Sequence, residues 1–180
     1  MTIRKQRKAL ARWEDDTRRW AHNTARDLVL ALVSGQPIPA TPYKVGVVLG
    51  PREQVWAECP LRFLQEHHVD QSMTGLPVKP WLVTSDRIVG RLGDDHLYGW
   101  RWCQIVGCRI ELTPGRERLV LDGVDGNPLT WIGPGLAPAA VAAAYQLHGP
   151  TAVLEHPGLS VLRNQGVRYR GSPAACVAAR

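Results

Sequence analysis

The segment Trp81-Leu82-Val83-Thr84-Ser85-Asp86-Arg87-Ile88-Val89-Gly90-Arg91-Leu92 decides the fold class. Two apolar runs flank four polar residues whose side chains bond readily to nearby backbone, which is the pattern of a β-hairpin. Downstream, Val106, Cys108, Ile110 and Leu112 alternate with Ile105, Gly107, Arg109 and Glu111, the period-2 signature of a half-buried strand. Pro114-Gly115 turns the chain, Arg118 to Leu121 reads as the next strand, Asp125-Gly126-Asn127-Pro128 turns it again, and Leu129 to Ile132 reads as the last. Pro138 suits a first helical turn and Ala139 to His148 is almost entirely helix-forming. Gly149-Pro150 supplies a left-handed stop followed by a residue that cannot extend the helix. Strands come first and a capped helix last. Val106, Cys108, Ile110, Leu121, Trp131, Val141 and Tyr145 are the expected shared core.

That order, with the Trp81 to Arg91 wording, the strand Trp100-Arg101-Trp102-Cys103-Gln104-Ile105 and the Ala139 to Gly149 helix, resembles the bacterial PH-like and GRAM-like domains over residues 43–150. The resemblance implies a mainly β (α+β) fold: a small, bent PH-like β-barrel plugged by a C-terminal helix, and a binding module rather than an enzyme. It does not extend to phosphoinositides. Lys44, Arg52 and Arg62 share the first hairpin region with Glu53, Glu58 and Glu66, so no basic headgroup site is expected.

Upstream of that body, residues 6–33 read as a long helix. Leu10, Trp13, Thr17, Trp20, Thr24, Leu28 and Ala31 recur in steps of three and four, flanked by Arg12, Glu14, Asp15, Arg18, Arg19 and Arg26. Trp13, Trp20 and Leu28 are the candidate partner-binding residues. The stripe has two outlets: the outside of its own barrel, or a protein partner or second copy. Ser34-Gly35 caps the helix, and residues 36–42, Gln-Pro-Ile-Pro-Ala-Thr-Pro, form a stiff linker. The expected organisation is therefore a helix over 1–35, a linker over 36–42, the body over 43–150 and a basic, weakly ordered tail over 151–180.

Within the body, Val45 to Leu49 reads as a short strand. Val55, Ala57, Cys59, Leu61 and Phe63 form the inner face of another, with Pro60 marking an edge or a bulge. Residues 64–80 read as a long surface loop. Trp100 and Trp102 are assigned to the core or to cover under the N-terminal helix.

The net charge of +6 is uneven, with +4 on residues 1–33, −2 on 34–156 and +4 on 157–180. Basic ends on a near-neutral body attract polyanions. Arg4, Lys5, Arg7, Lys8 and Arg12, with Arg163, Arg168 and Arg170, are the candidate nucleic-acid contacts. Solubility explains the same charges, and 18 of the 22 basic residues are Arg.

Catalytic motifs are missing. Glu66-His67-His68-Val69-Asp70 is the densest run of metal-ligand types, but adjacent histidines on one segment share an ion poorly, so no metal is expected. Gly93-Asp94-Asp95-His96 reads as a strand connection, and His148 as a partner for the helix C-terminal dipole. Gly133-Pro134-Gly135 lacks the amide donors of a phosphate cradle, and no Gly-x-Ser-x-Gly elbow occurs. The four cysteines form no disulfide or zinc spacing, no run reaches the roughly 20 apolar residues of a membrane span, and Arg4 to Lys8 opens the chain without a signal-peptide core. The expected protein is a non-enzymatic, cofactor-free scaffold or interaction module of the bacterial cytoplasm. The alternative is a nucleic-acid-associated accessory protein.

Overall fold

The computed structural model describes residues 3–38, 40–64, 78–92 and 96–163. Helix α1 (Ile3–Ser34) precedes strands β1 (Val55–Leu64), β2 (Lys79–Thr84), β3 (Arg87–Leu92) and β4 (His96–Arg101). A 3₁₀ corner at Trp102–Gln104 leads to β5 (Ile105–Glu111), β6 (Arg118–Gly123) and β7 (Pro128–Ile132), and α2 (Ala137–Glu155) follows. The fold is mainly β with two long helices, as the residue pattern implies. All strand pairs are antiparallel, in the order β4-β3-β2-β1-β7-β6-β5.

Strand β1 bends the sheet because it serves two ladders. Val55 to Leu61 pair with β2, while Arg62 to Leu64 pair with β7. Pro60 lies on this central strand, neither at an edge nor in the bulge. It sits opposite Pro80 near the end of the β1–β2 ladder, where a missing N–H costs least. The bulge lies instead between Val55 and Ala57, and it lets Trp56 join the buried side. The expected closed barrel is corrected: among the described residues β4 and β5 do not pair, so the sheet stays open at those two edges.

The interior is aromatic on the sheet side and small on the helix side. Phe63, Trp81, Trp100 and Trp131 meet with ring centroids 5.1 to 6.2 Å apart, and Trp81 and Trp131 meet edge to face at 85°. Trp81 lies across Gly90, where a Cβ would come within 2.5 Å of its ring. Ala139 to Ala144 of α2 are fully buried, and these small side chains let the helix approach the rings closely. Trp102 is also core, its Nε1 donating to the Thr84 carbonyl at 3.0 Å.

Leu121, Trp131 and Val141 are buried as expected, and Cys108, Ile110 and Tyr145 pack partly buried beside them. Val106 is not: it is 65 % exposed. The register slips between Ile105 and Gly107, so Val106 is the extra residue of a bulge and the alternation changes phase there. Val45 to Leu49 is no strand. It is an irregular cover, turned where the Val47 amide donates to the Val45 carbonyl at 2.8 Å, and its Val45 and Val47 pack on Val55, Leu82 and Val89, outside the aromatic core.

The break at Gly149 occurs where the sequence places it, with φ 80° and ψ −175°, but helix resumes as far as Glu155. A 3₁₀ turn at Pro157–Leu159 and helix over 160–163 follow. Val153, Leu159 and Leu162 are buried, so 151–163 belongs to the body rather than to a tail. The rest of the expected tail, the 65–77 part of the expected loop, and Asp94 and Asp95 lie outside the described residues.

Candidate interaction surface

Helix α1 spans 32 residues, about 48 Å at 1.5 Å per residue. Its C-terminal half is fastened to the body. Ala21, Ala25, Leu28 and Ala31 are buried, and the helix packs on α2. It ends in a left-handed Gly35, φ 67°, with the Gln36 amide donating to the Ala31 carbonyl at 3.0 Å, the hydrogen bond of a Schellman stop. The Arg26 Nε donates to the Leu162 carbonyl at 3.3 Å, tying this half to the last described turn.

The N-terminal half has a different environment. Ile3, Leu10, Trp13 and Trp20 are 70, 51, 37 and 41 % exposed. It reaches over the outer face of β1, β7 and β6, where Arg62, Ile132 and Arg118 form one cross-strand row. A cleft of about 420 Å³ separates Leu10 and Glu14 from that row. A second notch of about 330 Å³ is formed by Trp20, Asp16 and Thr17 with Glu58 and Pro60 of β1.

One ion pair clamps the two layers. The Arg18 guanidinium meets the Glu117 carboxylate, side chains only 17 and 6 % exposed, and also bonds Asp15 at 2.8 Å. Burial opposes the Arg18 charge, but the two carboxylates outweigh it and raise its pKa above the ordinary value. The Gly115 amide donates to the same Glu117 at 2.9 Å, so the β5–β6 turn is fixed by the residue that holds the helix.

Of the three residues expected to bind a partner, Trp13 and Trp20 are accessible, whereas Leu28 is 3 % exposed within this chain's own core and is corrected to an anchor. Arg4, Lys5, Arg7, Lys8 and Arg12 are all exposed on the first three turns, with Arg12 lying 3.9 Å from Asp16. Arg163 does not join them. It donates to the Leu154 and His156 carbonyls at 2.7 and 3.2 Å, and Arg168 and Arg170 lie outside the described residues. The Arg18–Glu117 clamp was not read from sequence, because its partners stand 99 positions apart. The signal that sequence did carry is the exposed Ile3 and Leu10 at seven-residue spacing, matched by Trp13 and Trp20.

Among the described residues no cluster of three or more His, Cys, Asp or Glu could hold a metal ion, and no helix is long and apolar enough to cross a membrane. Burial pushes the Cys59 thiol up to about 12 and the Cys108 thiol up to about 11, which keeps both protonated near neutral pH. His96 and His148 are exposed, while His67 and His68 lie outside the described residues. Glu53, packed against the body, accepts from Arg87 at 2.8 and 3.0 Å and from Thr84 at 2.8 Å, so this acid–base pair fixes the β2–β3 turn.

The architecture is a seven-stranded antiparallel sheet followed by α2 and preceded by the long helix α1. Neither a protein-family model nor a curated protein matches the chain. Among solved structures it is similar to the Vps36 N-terminal PH domain, with a TM-score of 0.42 and 11 % identity over 59 % of this chain and 86 % of that one.

Proposed function

We propose that the chain is a non-enzymatic interaction module whose sheet and α2 hold α1 in place and whose projecting half of α1 binds a protein partner through Trp13 and Trp20. One observation carries this reading: the same helix is buried at Ala21, Ala25 and Leu28 yet leaves four large apolar residues, two of them tryptophans, at the surface before residue 21. Exposed aromatic groups on a rigid element are what interface hot spots are made of. The test uses the full chain as bait in a lysate of its native host, treated with nuclease and compared with a Trp13→Ala/Trp20→Ala variant. A protein captured by the wild type should be lost by at least about thirtyfold in the variant, because a truncated hot spot costs 2 kcal/mol or more. Equal capture by both baits overturns the reading.

The exposed row Arg4, Lys5, Arg7, Lys8 and Arg12 favours nucleic acid as the second reading. Binding to a generic duplex would then fall steeply with salt, with a slope of about −0.9 per neutralised phosphate, and would collapse when these five residues become Gln. Capture that survives nuclease and ignores the Gln substitutions excludes it.

A further inference from the structure

We infer that the partner of the projecting helix is a second copy of this chain, and that the two α1 helices pair antiparallel over residues 3–20. The inference rests on the reading above and specifies the partner. Its basis is a spacing that continues to the N-terminal end of the helix, where the body leaves it exposed. Ile3, Leu10 and Thr17 repeat every seven residues, and so do Gln6, Trp13 and Trp20 offset by three, which are the a and d positions of a coiled-coil heptad. The four large members of that set are the four large exposed residues of this half. Trp13 and Trp20 lie to the side of the anchored face, Trp20 about 100° from Ala21, whereas Ile3 and Leu10 stand about five turns before Ala21 and Leu28 on the same side of the helix, where they remain exposed.

Antiparallel helices pair a positions with d positions, and one register satisfies every layer at once. Ile3 of one copy meets Trp20 of the other, Leu10 meets Trp13, and Thr17 meets Gln6, so each tryptophan faces an aliphatic side chain. In that register the flanking positions bring Arg7 beside Glu14 of the second copy, twice by symmetry. The basic first turn, which gains nothing from its own helix dipole, is carried to the notch where Trp20 lies with Asp16 and Glu58. Parallel pairing does the reverse. It sets both basic turns side by side and brings both bodies to one end.

Molar mass of the intact chain, measured by light scattering and sedimentation across a concentration series, should reach twice the 19.9 kDa of one chain. Arg7→Glu and Glu14→Arg should each weaken association at least tenfold, and combining them in one chain should restore it. Mixing the two single variants should give a heterodimer, because each contact then joins opposite charges. Arg7 is exposed but Glu14 borders the cleft that holds Arg18 and Arg62, so urea unfolding of each variant separates loss of association from loss of fold. For orientation, Ala9→Cys/Asp16→Cys in a Cys103→Ser/Cys176→Ser background should form a disulfide-linked dimer. The two positions are about 10 Å apart along one helix, beyond the roughly 7 Å that a disulfide spans, so the bond must join two chains. Ala9→Cys alone should not cross-link. A chain that stays monomeric, fails to be rescued by the charge swap, or cross-links through Cys at position 9 alone overturns the antiparallel pair. If a monomeric chain still captures a protein through Trp13 and Trp20, only the self-pairing falls. If capture is indifferent to the tryptophans, the parent reading falls.

Discussion

The two halves of α1 form one continuous helix and obey different rules. From Ala21 onward the helix is an internal element: alanines at 21, 25 and 31 with Leu28 fit it against α2, and Gly35 stops it cleanly. Before residue 21 the same periodicity continues, but the body beneath recedes into clefts and the apolar residues remain in view. Amphipathicity therefore identifies a face that seeks cover without saying which half of it the chain covers itself. The difference lies in size as well as place, because small residues permit close packing within the chain whereas the large ones project.

The strongest way to break this comparison is to truncate one leucine from each half. Leu28→Ala leaves a cavity beside α2 and should cost about 3 kcal/mol, whereas Leu10→Ala should cost under about 0.5 kcal/mol in the monomeric state. Urea unfolding of both variants at low protein concentration measures the contrast. Equal costs would mean that the projecting half is part of the core after all.

Next in size is the clamp that ties the N-terminal half of the helix to the sheet. Arg18→Met leaves the buried Glu117 carboxylate without its partner and should destabilise the chain by about 2 kcal/mol. Arg18→Met/Glu117→Met replaces the pair by apolar volume and should recover most of that loss, apart from the contribution of the Gly115 amide that Glu117 accepts. A double-mutant cycle gives the coupling directly, and a coupling near zero would show that the two layers are held by other contacts.

How much of this was legible beforehand follows the range of each interaction. The β2–β3 hairpin, the strands from β5 to β7 and the stop at Gly149 are written in short-range signals: alternation, turn residues, a glycine before a proline. The misread elements answer to distant partners. Val106 turns outward because β5 bulges against β6, Val45 to Leu49 joins no ladder because it lies across Val55 and Leu82, and residues 151–163 fold because Leu159 and Leu162 find the core. The same limit governs the surface. Trp13 and Trp20 are legible as residues that seek a partner, but the burial of Leu28 depends on where α2 comes to rest, and no local pattern encodes that.

The smallest effect concerns whether the last described turn truly belongs to the anchored half. His156 Nδ1 accepts the Gly158 amide at 3.1 Å and starts the Pro157–Leu159 turn, which seats Leu159 and Leu162 and places the Leu162 carbonyl for Arg26. Burial, followed by the nearby positive groups His148 and Arg163, holds the His156 pKa below its ordinary value. A folded state that disfavours the proton is stabilised above the unfolded pKa, about 6.5, and loses that stability as pH falls through the lower folded value. The imidazolium cannot accept at Nδ1, so the loss should approach one neutral hydrogen bond, about 1 kcal/mol or less for this half-exposed site. His156→Asn keeps a side-chain acceptor but does not titrate. Comparing the unfolding free energies of wild type and variant at pH 7.5 and 5.5 cancels the carboxylates common to both, and the wild type should lose ground on acidification. If the two respond alike, the His156 acceptor adds nothing to the turn, which is then held by the burial of Leu159 and Leu162 together with the Arg26 contact.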